Sequence, residues 1–315
     1  MKYLKQAVHV PQHQIVIGLL LLNGFLIALT LAFAKEVTSQ GVSPISYAFW
    51  QTFIAGSILL SASLRDRIRL NRSIILYFVI SGLSGIAIPN VVAFFLVGKL
   101  GAGFTSIMFA LPPIFTFLLS ASLGLEKLKL LRLIGLLIAV LACTWIIFQR
   151  HSQIGEGSIL WYIMGVVIPV MLSIGNVYRS VAWPKGMKSR PLAAGTLIAS
   201  ALSLSVFGKL TNVEFFDQDI SLNVHGLILV QGLLTAINFF CAFELQKRSN
   251  PVFYSQLGTV AAIFGLLIGI VWFNEAYSLS IWLGVFFVIF GLRVSNKGTF
   301  TQPAIKTEAK TAALS

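Results

Sequence analysis

The stretch GLEKLKLLRLIG, residues 124–135, places one glutamate in an apolar run, with a glycine nine positions later. The stretch FNEAYSLSIWLG, residues 273–284, has the same spacing. Two pairs therefore recur with one shift of 149 positions: Glu126 with Glu275, and Gly135 with Gly284. A spacing that repeats once, about half a chain length apart, indicates an internal duplication.

The composition indicates an integral membrane protein. The chain is 57% hydrophobic and only 10% charged, whereas a soluble protein is roughly 25% charged. A transmembrane helix needs about 20 apolar residues. Runs of this kind predict ten spans, at 15–34, 44–63, 74–97, 101–123, 131–148, 158–180, 192–210, 223–245, 250–273 and 278–294.

Basic residues predict the orientation of these spans. With ten crossings, 19 of the 23 Lys and Arg residues fall on the side of the N-terminus and 4 on the other. Basic residues in short loops stay in the cytoplasm, so both termini are expected there. The run 15–34 is longer than the apolar core of a signal peptide and lacks a clear cleavage site, so we interpret it as a retained first span.

The duplication is predicted to be inverted. Five crossings separate Glu126 from Glu275, and an odd number places the two copies on opposite sides of the membrane. Inverted repeats are typical of secondary transporters with a midplane binding site. The predicted fold is an all-α integral membrane protein of two inverted five-helix repeats, over 15–150 and 151–295, with cytoplasmic tails at 1–14 and 296–315.

The sequence also resembles a known family. GAGFTSIMFALPPIFTFLLSASLGLEKLKLLRLIGLLIAVLACTWI, 101–146, resembles the end of an EamA domain, and NPVFYSQLGTVAAIFGLLIGIVWFNEAYSLSIWLGVFFVIFGL, 250–292, resembles a second one. The second copy has Ala261 where the first has Pro112. Two such domains define the drug/metabolite transporter superfamily. The resemblance implies a multi-pass transporter that exports amino acids, drugs or other metabolites, although some members import vitamins or nucleotide-related compounds.

The two repeated glutamates have a structural and a functional interpretation. A carboxylate in a short turn before a helix meets unpaired N–H groups and the positive helix end, which we favour over a role in proton or substrate binding. Gly135 and Gly284 then allow close helix packing.

Polar residues inside the spans are the candidate substrate site, because unsatisfied polar groups are costly in hydrocarbon. Each could line a cavity or bond a neighbouring helix. The candidates are Asn23, Trp50, Gln51, Pro89, Asn90, Asn176, Tyr178, Gln231, Asn238 and Gln256. Pro89 and Asn90 are the strongest pair, because an interior proline frees a backbone carbonyl and the repeat also has a polar residue, Asn238.

Two charged residues near span ends are candidates for coupling. Glu244 lies close to Lys247 and Arg248, where a surface ion pair at helical spacing is the ordinary expectation. Arg179 could extend to the cytoplasm or bind an anionic substrate. No acidic residue lies near the middle of any predicted span.

Three classes of function compete. A secondary transporter of small organic metabolites, most simply an exporter of amino acids or related compounds in the inner membrane of a bacterium, accounts for the repeat and the polar interior. The alternatives are an uptake permease for a vitamin or nucleotide-like metabolite, and a channel or flippase for a lipid-like substrate. An enzyme would need a catalytic constellation such as HExxH, which the sequence lacks. We expect no cofactor, no metal and no nucleic-acid partner, and a homodimer could form through helices five and ten.

Overall fold

The computed structural model describes residues 12–66, 70–126, 130–154, 159–215 and 221–296. All regular elements in these ranges are helices. They are α1 (Gln12–Ser39), α2 (Pro44–Ala62), α3 (Arg72–Gly82), a π-helical turn (Leu83–Ala87), α4 (Ile88–Leu100), α5 (Ala102–Met108), α6 (Pro112–Ser122), α7 (Leu130–Ile154), α8 (Ile159–Gly165), α9 (Val167–Val181), α10 (Ser189–Leu210), α11 (Leu222–Arg248), α12 (Pro251–Ser255), α13 (Leu257–Phe273) and α14 (Leu279–Asn296).

Every predicted span coincides with helix in the described ranges. Eight segments there are long and apolar enough to cross a membrane, and four of them join two helices: α3 with α4, α5 with α6, α8 with α9, and α12 with α13. α7 and α14 lie at predicted spans five and ten but are not among the eight. The molecule is therefore a multi-pass membrane protein, and ten crossings with cytoplasmic termini stay a prediction. Most of both predicted tails, 1–11 and 297–315, lies outside the described residues.

Several spans are broken where the sequence removes a backbone donor. Pro89 has no N–H, and the π-helical turn Leu83–Ala87 comes directly before its helix. α5 ends at Met108, four residues before Pro112, because proline has no N–H to bond the carbonyl one turn back. The break between α12 and α13 at Gln256 has no such proline. The breaks leave backbone groups in the protein interior, where a cavity can use them.

Helices α7 and α14 pack against each other through small residues. A Cβ added to Gly135 would lie 2.4 Å from the Ser295 backbone nitrogen, and one added to Gly284 would lie 2.4 Å from Cγ1 of Ile146. Ser295 follows Ile146 by 149 positions, as Gly284 follows Gly135. The two contacts are thus exchanged by the repeat shift, as a two-fold axis between the halves requires.

The breaks of the fourth and ninth predicted spans also meet. A Cβ added to Gly258 would lie 1.5 Å from the carbonyl oxygen of Phe109. These two residues are again 149 positions apart. Residues that are equivalent by a two-fold rotation touch each other only close to its axis. On the predicted repeat, the point where these two broken helices cross therefore lies close to the two-fold axis.

The glycine faces of α7 and α14 are covered within the chain. Gly291 lies against Ala139 and Gly135, on the same seam. A homodimer through these helices would consequently need their other faces. These carry exposed apolar side chains such as Leu137, Leu141, Phe286 and Phe290, a composition that lipid also covers.

Candidate substrate cavity

A cavity lies between the helices of both halves, beside the crossing of Phe109 and Gly258. Its empty volume is about 770 Å³, including the space at its opening. The walls are mainly apolar, with residues such as Phe94, Leu172 and Leu257. Polar side chains interrupt these walls at Thr30, Gln51, Asn90, Asn176, Arg179, Thr235, Asn238 and Ser255. An apolar cavity with a few converging polar groups is the usual form of a small-molecule site.

Five of the residues singled out in the sequence line this cavity: Gln51, Asn90, Asn176, Arg179 and Asn238. Asn90 reaches it from the first turn of α4, directly after Pro89. Asn238 reaches it from α11, where only 7% of the residue is exposed. The first repeat and the second therefore both supply amide side chains to one space.

The other candidates lie outside the cavity wall. Asn23 is fully buried and donates to the Leu19 carbonyl, one turn back in its own helix. Trp50 donates from Nε1 to the Phe215 carbonyl at 2.7 Å, and its ring contacts Phe49 and Phe53.

Three further candidates serve helix ends and contacts between helices. Gln256 is the residue between α12 and α13. Tyr178 packs beside the ring of Tyr77. Pro89 is buried in α4 without reaching the cavity.

Gln231 holds together the polar edge of the cavity without lining it. Its Nε2 donates to Thr30 Oγ1 at 2.7 Å and to Thr235 Oγ1 at 3.1 Å, and it lies 3.4 Å from Gln51 Oε1. These residues come from α1, α2 and α11. The cluster fixes the three helices relative to one another by buried hydrogen bonds, which a low local dielectric strengthens.

Arg179 is buried in the cavity and does not extend to the membrane surface. Only 2% of the residue is exposed. Its Nη2 donates to Asn176 Oδ1 at 2.8 Å, and the guanidinium lies 5.5 Å from the ring centroids of Phe243 and of Tyr254. Side chains lean toward the N-terminus of their own helix, which directs Arg179 inward from the end of α9.

A pair of glycines makes room for this guanidinium. A Cβ on Gly85 would lie 2.5 Å from Nη1 of Arg179, and a Cβ on Gly175 would lie 2.8 Å from Gly85 Cα. Gly85 belongs to the π-helical turn, a feature that is frequent at functional sites. The turn and α9 approach so closely because neither has a side chain at the crossing.

Glu275 lies at one end of the helices and caps α5. Its carboxylate accepts hydrogen bonds from the N–H groups of Ala102 at 3.0 Å and Gly103 at 3.2 Å. It also pairs with Lys35 at 2.5 Å and accepts from the Tyr277 hydroxyl. The prediction of a carboxylate at unpaired helix N–H groups was right in kind but wrong about the helix, because Glu275 caps α5 of the other repeat and not the helix that follows it.

The surroundings of Glu275 favour its charged form. Burial by itself would raise the pKa of this carboxyl group. The Lys35 ammonium, the Tyr277 hydroxyl and the Ala102 N–H act against burial, and together they hold the pKa below its ordinary value.

A second ion cluster lies at the opposite end of α2. Asp66 accepts from Lys188 and from Arg190, both at 2.8 Å. These two hydrogen bonds are the main cause that lowers the pKa of Asp66. Glu244 pairs with Arg248 one turn along α11 at 2.9 Å and does not line the cavity. The ion pair expected for Glu244 is confirmed.

Several cavity residues had no individual signal in the sequence. Thr30, Thr235 and Ser255 are short polar side chains that helices commonly bury by bonding to their own backbone. The stretch SGLSG, 81–85, was the available indication of Gly85, because clustered small residues permit close helix approach. In the described ranges, no group of three His, Cys, Asp or Glu side chains is arranged to hold a metal ion.

Residues 14–148 match the model of the EamA-like transporter family. This segment belongs to that family. EamA proteins are membrane transporters of small molecules rather than enzymes, and the predicted membership is confirmed for residues 14–148. The EamA match ends within α7, so the assignment of a second EamA domain to 151–295 stays a prediction.

Solved structures share the fold of this chain. One crystal structure covers 92% of the chain and is itself covered to 99%, with a TM-score of 0.64 and 17% sequence identity. In all, 28 solved chains match. No curated protein matches the chain. At this identity the likeness concerns the fold, and the substrate has to be argued from the cavity.

Proposed function

We propose that the protein is a secondary active transporter that exports small organic metabolites, amino acids or related compounds, by alternating access. The observation that carries the proposal is the cavity of both halves, in which Asn90 and Asn238 face one space. A site shared between two halves can be exposed to either side of a membrane when the halves rock against each other.

The contacts along the symmetry axis support this mechanism. Two halves related by a two-fold axis in the membrane plane can form inward-open and outward-open states of comparable energy. The exchanged contacts of Gly135 with Ser295 and of Gly284 with Ile146 are what such an axis produces. The two ion clusters, around Glu275 and around Asp66, lie at opposite ends of α2 and would open in turn.

The distribution of basic residues assigns each ion cluster to one side of the membrane. With both termini in the cytoplasm, Asp66 with Lys188 and Arg190 would face the cytoplasm and Glu275 with Lys35 the periplasm of a bacterial inner membrane. The partners on this proposal are the substrate and the membrane lipids.

Untargeted mass spectrometry of medium and cell extract tests the proposal. Cells that overproduce the protein are compared with cells that produce the double variant Asn90→Ala, Asn238→Ala at equal membrane levels. The matched control is Asn23→Ala, because Asn23 is buried outside the cavity. We expect a compound to accumulate outside the cells with the intact protein and with Asn23→Ala, but not with the double variant.

The outcomes separate direction from site. If a compound disappears from the medium and enters the cells, the protein is an uptake transporter and not an exporter. Equal export by the double variant would show that the substrate does not bind at Asn90 and Asn238 in this cavity. The absence of any change in either fraction, with verified protein in the membrane, would contradict metabolite transport and favour a lipid-like substrate.

A further inference from the structure

Arg179 is the one charged side chain that the described residues contribute to the cavity wall. Two of its three guanidinium nitrogens, Nε and Nη1, are buried without an acceptor, and the third donates to the neutral Asn176 amide. No carboxylate of the described ranges forms an ion pair with it. A buried charge without a partner of opposite sign is destabilising, so the position is unfavourable until a negatively charged group enters the cavity.

We propose that the cavity binds a small organic monocarboxylate, with Arg179 as its counter-ion. The inference rests on the proposed function, since it names the substrate class of the same cavity. The ligand supplies the acceptors that Nε and Nη1 lack, and it replaces the missing negative charge. Hydrogen bonds between ionised groups are shorter and stronger than neutral ones, and a low-dielectric interior strengthens them further.

The charge balance of the cavity favours a carboxylate over a phosphate group. A phosphate monoester carries nearly two negative charges at neutral pH, and it would require a second cation. No lysine and no second arginine lines the cavity in the described part of the chain. A single guanidinium matches a single carboxylate.

The rest of the wall indicates the body of the ligand. Asn238 Oδ1 is buried without a donor and lies in the same cavity, so a hydroxyl, amide or amino group of the ligand can donate to it. Phe94, Phe109 and Leu257 supply apolar surface. The fitting ligand has a carboxylate at one end, an apolar body and a hydrogen-bond donor.

Binding to purified full-length protein tests this inference without any transport. A panel of small monocarboxylates, amino acids included, is screened by thermal shift, each beside its own primary amide and beside phosphate monoesters of similar size. We expect at least one carboxylate to raise the unfolding temperature while its amide does not. For that compound, Arg179→Gln should weaken binding about 10- to 100-fold, the range expected for lost charged hydrogen bonds.

Two further variants allow the inference to be tested if Arg179→Gln folds poorly. Asn176→Asp is nearly isosteric and places a carboxylate where Oδ1 already lies 2.8 Å from Nη2. It should neutralise Arg179 internally and weaken carboxylate binding without loss of stability. Lys209→Gln, at an exposed residue outside the cavity, is the matched control and should bind like the intact protein.

The inference is overturned if no carboxylate stabilises the protein, if the amides stabilise it equally, or if Arg179→Gln and Asn176→Asp bind as before. Stronger stabilisation by phosphate monoesters would also overturn it. Failure of the proposed function looks different. Carboxylates would bind through Arg179, yet proteoliposomes would not transport them. Conversely, the Arg179→Gln variant would transport a neutral compound as well as the intact protein does. That result would uphold the transporter proposal and contradict the proposed carboxylate site.

Discussion

At the scale of single residues, Glu275 combines three interactions that ordinary surface carboxylates lack. It caps α5, pairs with Lys35 and accepts from Tyr277, while its side chain is only 9% exposed. Glu275→Gln keeps the shape but removes the charge. We expect it to lower the free energy of unfolding by about 1.5–3 kcal/mol, the usual value of hydrogen bonds to a charged group, as measured by denaturation in detergent.

The matched control is Glu244→Gln. Its ion pair with Arg248 lies at the end of α11 at i,i+4 spacing, and such pairs contribute about 0.3–0.5 kcal/mol. If both substitutions have the same small effect, the Glu275 cluster does not stabilise the fold.

The charge of Glu275 also predicts a dependence on pH. The pKa of this group is lower in the folded protein than in the unfolded chain, so its stabilisation is complete above the unfolded value, about 4.3. It is lost as the pH falls through the lower, folded value. Unfolding temperatures of the intact protein and of Glu275→Gln, measured from pH 7 downward, should therefore converge in acid. A constant difference down to pH 3 would contradict the assignment.

The sequence identified functionally or structurally important residues more readily than it identified their contacts. The repeat spacing identified Glu275, but its partners Lys35 and Ala102 lie 240 and 173 positions away, and no local pattern encodes that. Arg179 lies near the end of its predicted span, and the choice between the surface and the interior was left open. The interior position is decided by Gly85 and Gly175 on different helices, because neither has a side chain that would occupy the space of the guanidinium.

At the scale of helices, the crossing at Phe109 and Gly258 is the closest approach around any glycine of the described ranges. A Cβ at residue 258 would overlap a backbone carbonyl, which cannot rotate away. Gly258→Ala should therefore cost stability at the upper end of the 1–3 kcal/mol typical of overpacking, and it should reduce the yield of folded protein. Size-exclusion profiles and unfolding temperatures measure both effects.

Gly98→Ala is the control for that substitution. Gly98 is also helical, but nothing lies within 4 Å of a Cβ built on it. Alanine at such a position is neutral or stabilises by about 0.5–1 kcal/mol. A Gly258→Ala protein as stable as Gly98→Ala would show that the two broken helices can separate at little cost.

Helices were predicted more easily than their interruptions. Apolar runs of sufficient length predicted helix at every span, since a membrane leaves the backbone few other solutions. The break after α5 precedes Pro112, whose missing N–H accounts for it. The break at Gln256 has no proline. It lies next to the crossing with the first repeat, so tertiary contact and not local sequence accounts for it.

At the scale of the whole molecule, the predicted two-fold axis makes equivalent substitutions comparable. Gly135→Ala and Gly284→Ala disturb the same seam between α7 and α14. However, the added methyl at 135 meets backbone atoms of Gly291 and Ser295, whereas the one at 284 first meets the Ile146 side chain. Because side chains can adjust, Gly135→Ala should be the more destabilising, within the 1–3 kcal/mol of overpacking. Parallel unfolding curves measure the difference, and the reverse order would contradict this packing.

The symmetry is broken at the two ends of the molecule. Glu275 is held by the N–H groups of Ala102 and Gly103, whose repeat equivalents are Pro251 and Val252. Proline has no N–H, and α12 is capped by its own Asn250, which accepts from Phe253 N at 2.7 Å. The pair of N–H donors that holds Glu275 therefore has no full counterpart at the start of α12. The Glu275 cluster should accordingly favour closure of its own end.

Removing Lys35 should shift that balance. Loss of about 1 kcal/mol changes a two-state ratio roughly fivefold, so Lys35→Ala should expose the cavity more often at the Glu275 end. A single cysteine, Thr30→Cys, reports this opening, because Thr30 lines the cavity five residues before Lys35 in α1. With Cys143 and Cys241 replaced, a membrane-impermeant thiol reagent applied to whole cells should label Thr30→Cys about five times faster in the Lys35→Ala background.

Lys188→Ala, at the opposite ion cluster, should not accelerate labelling, since it weakens closure of the cytoplasmic end. Equal rates in both backgrounds would mean that the Glu275 cluster stabilises the fold without governing access to the cavity.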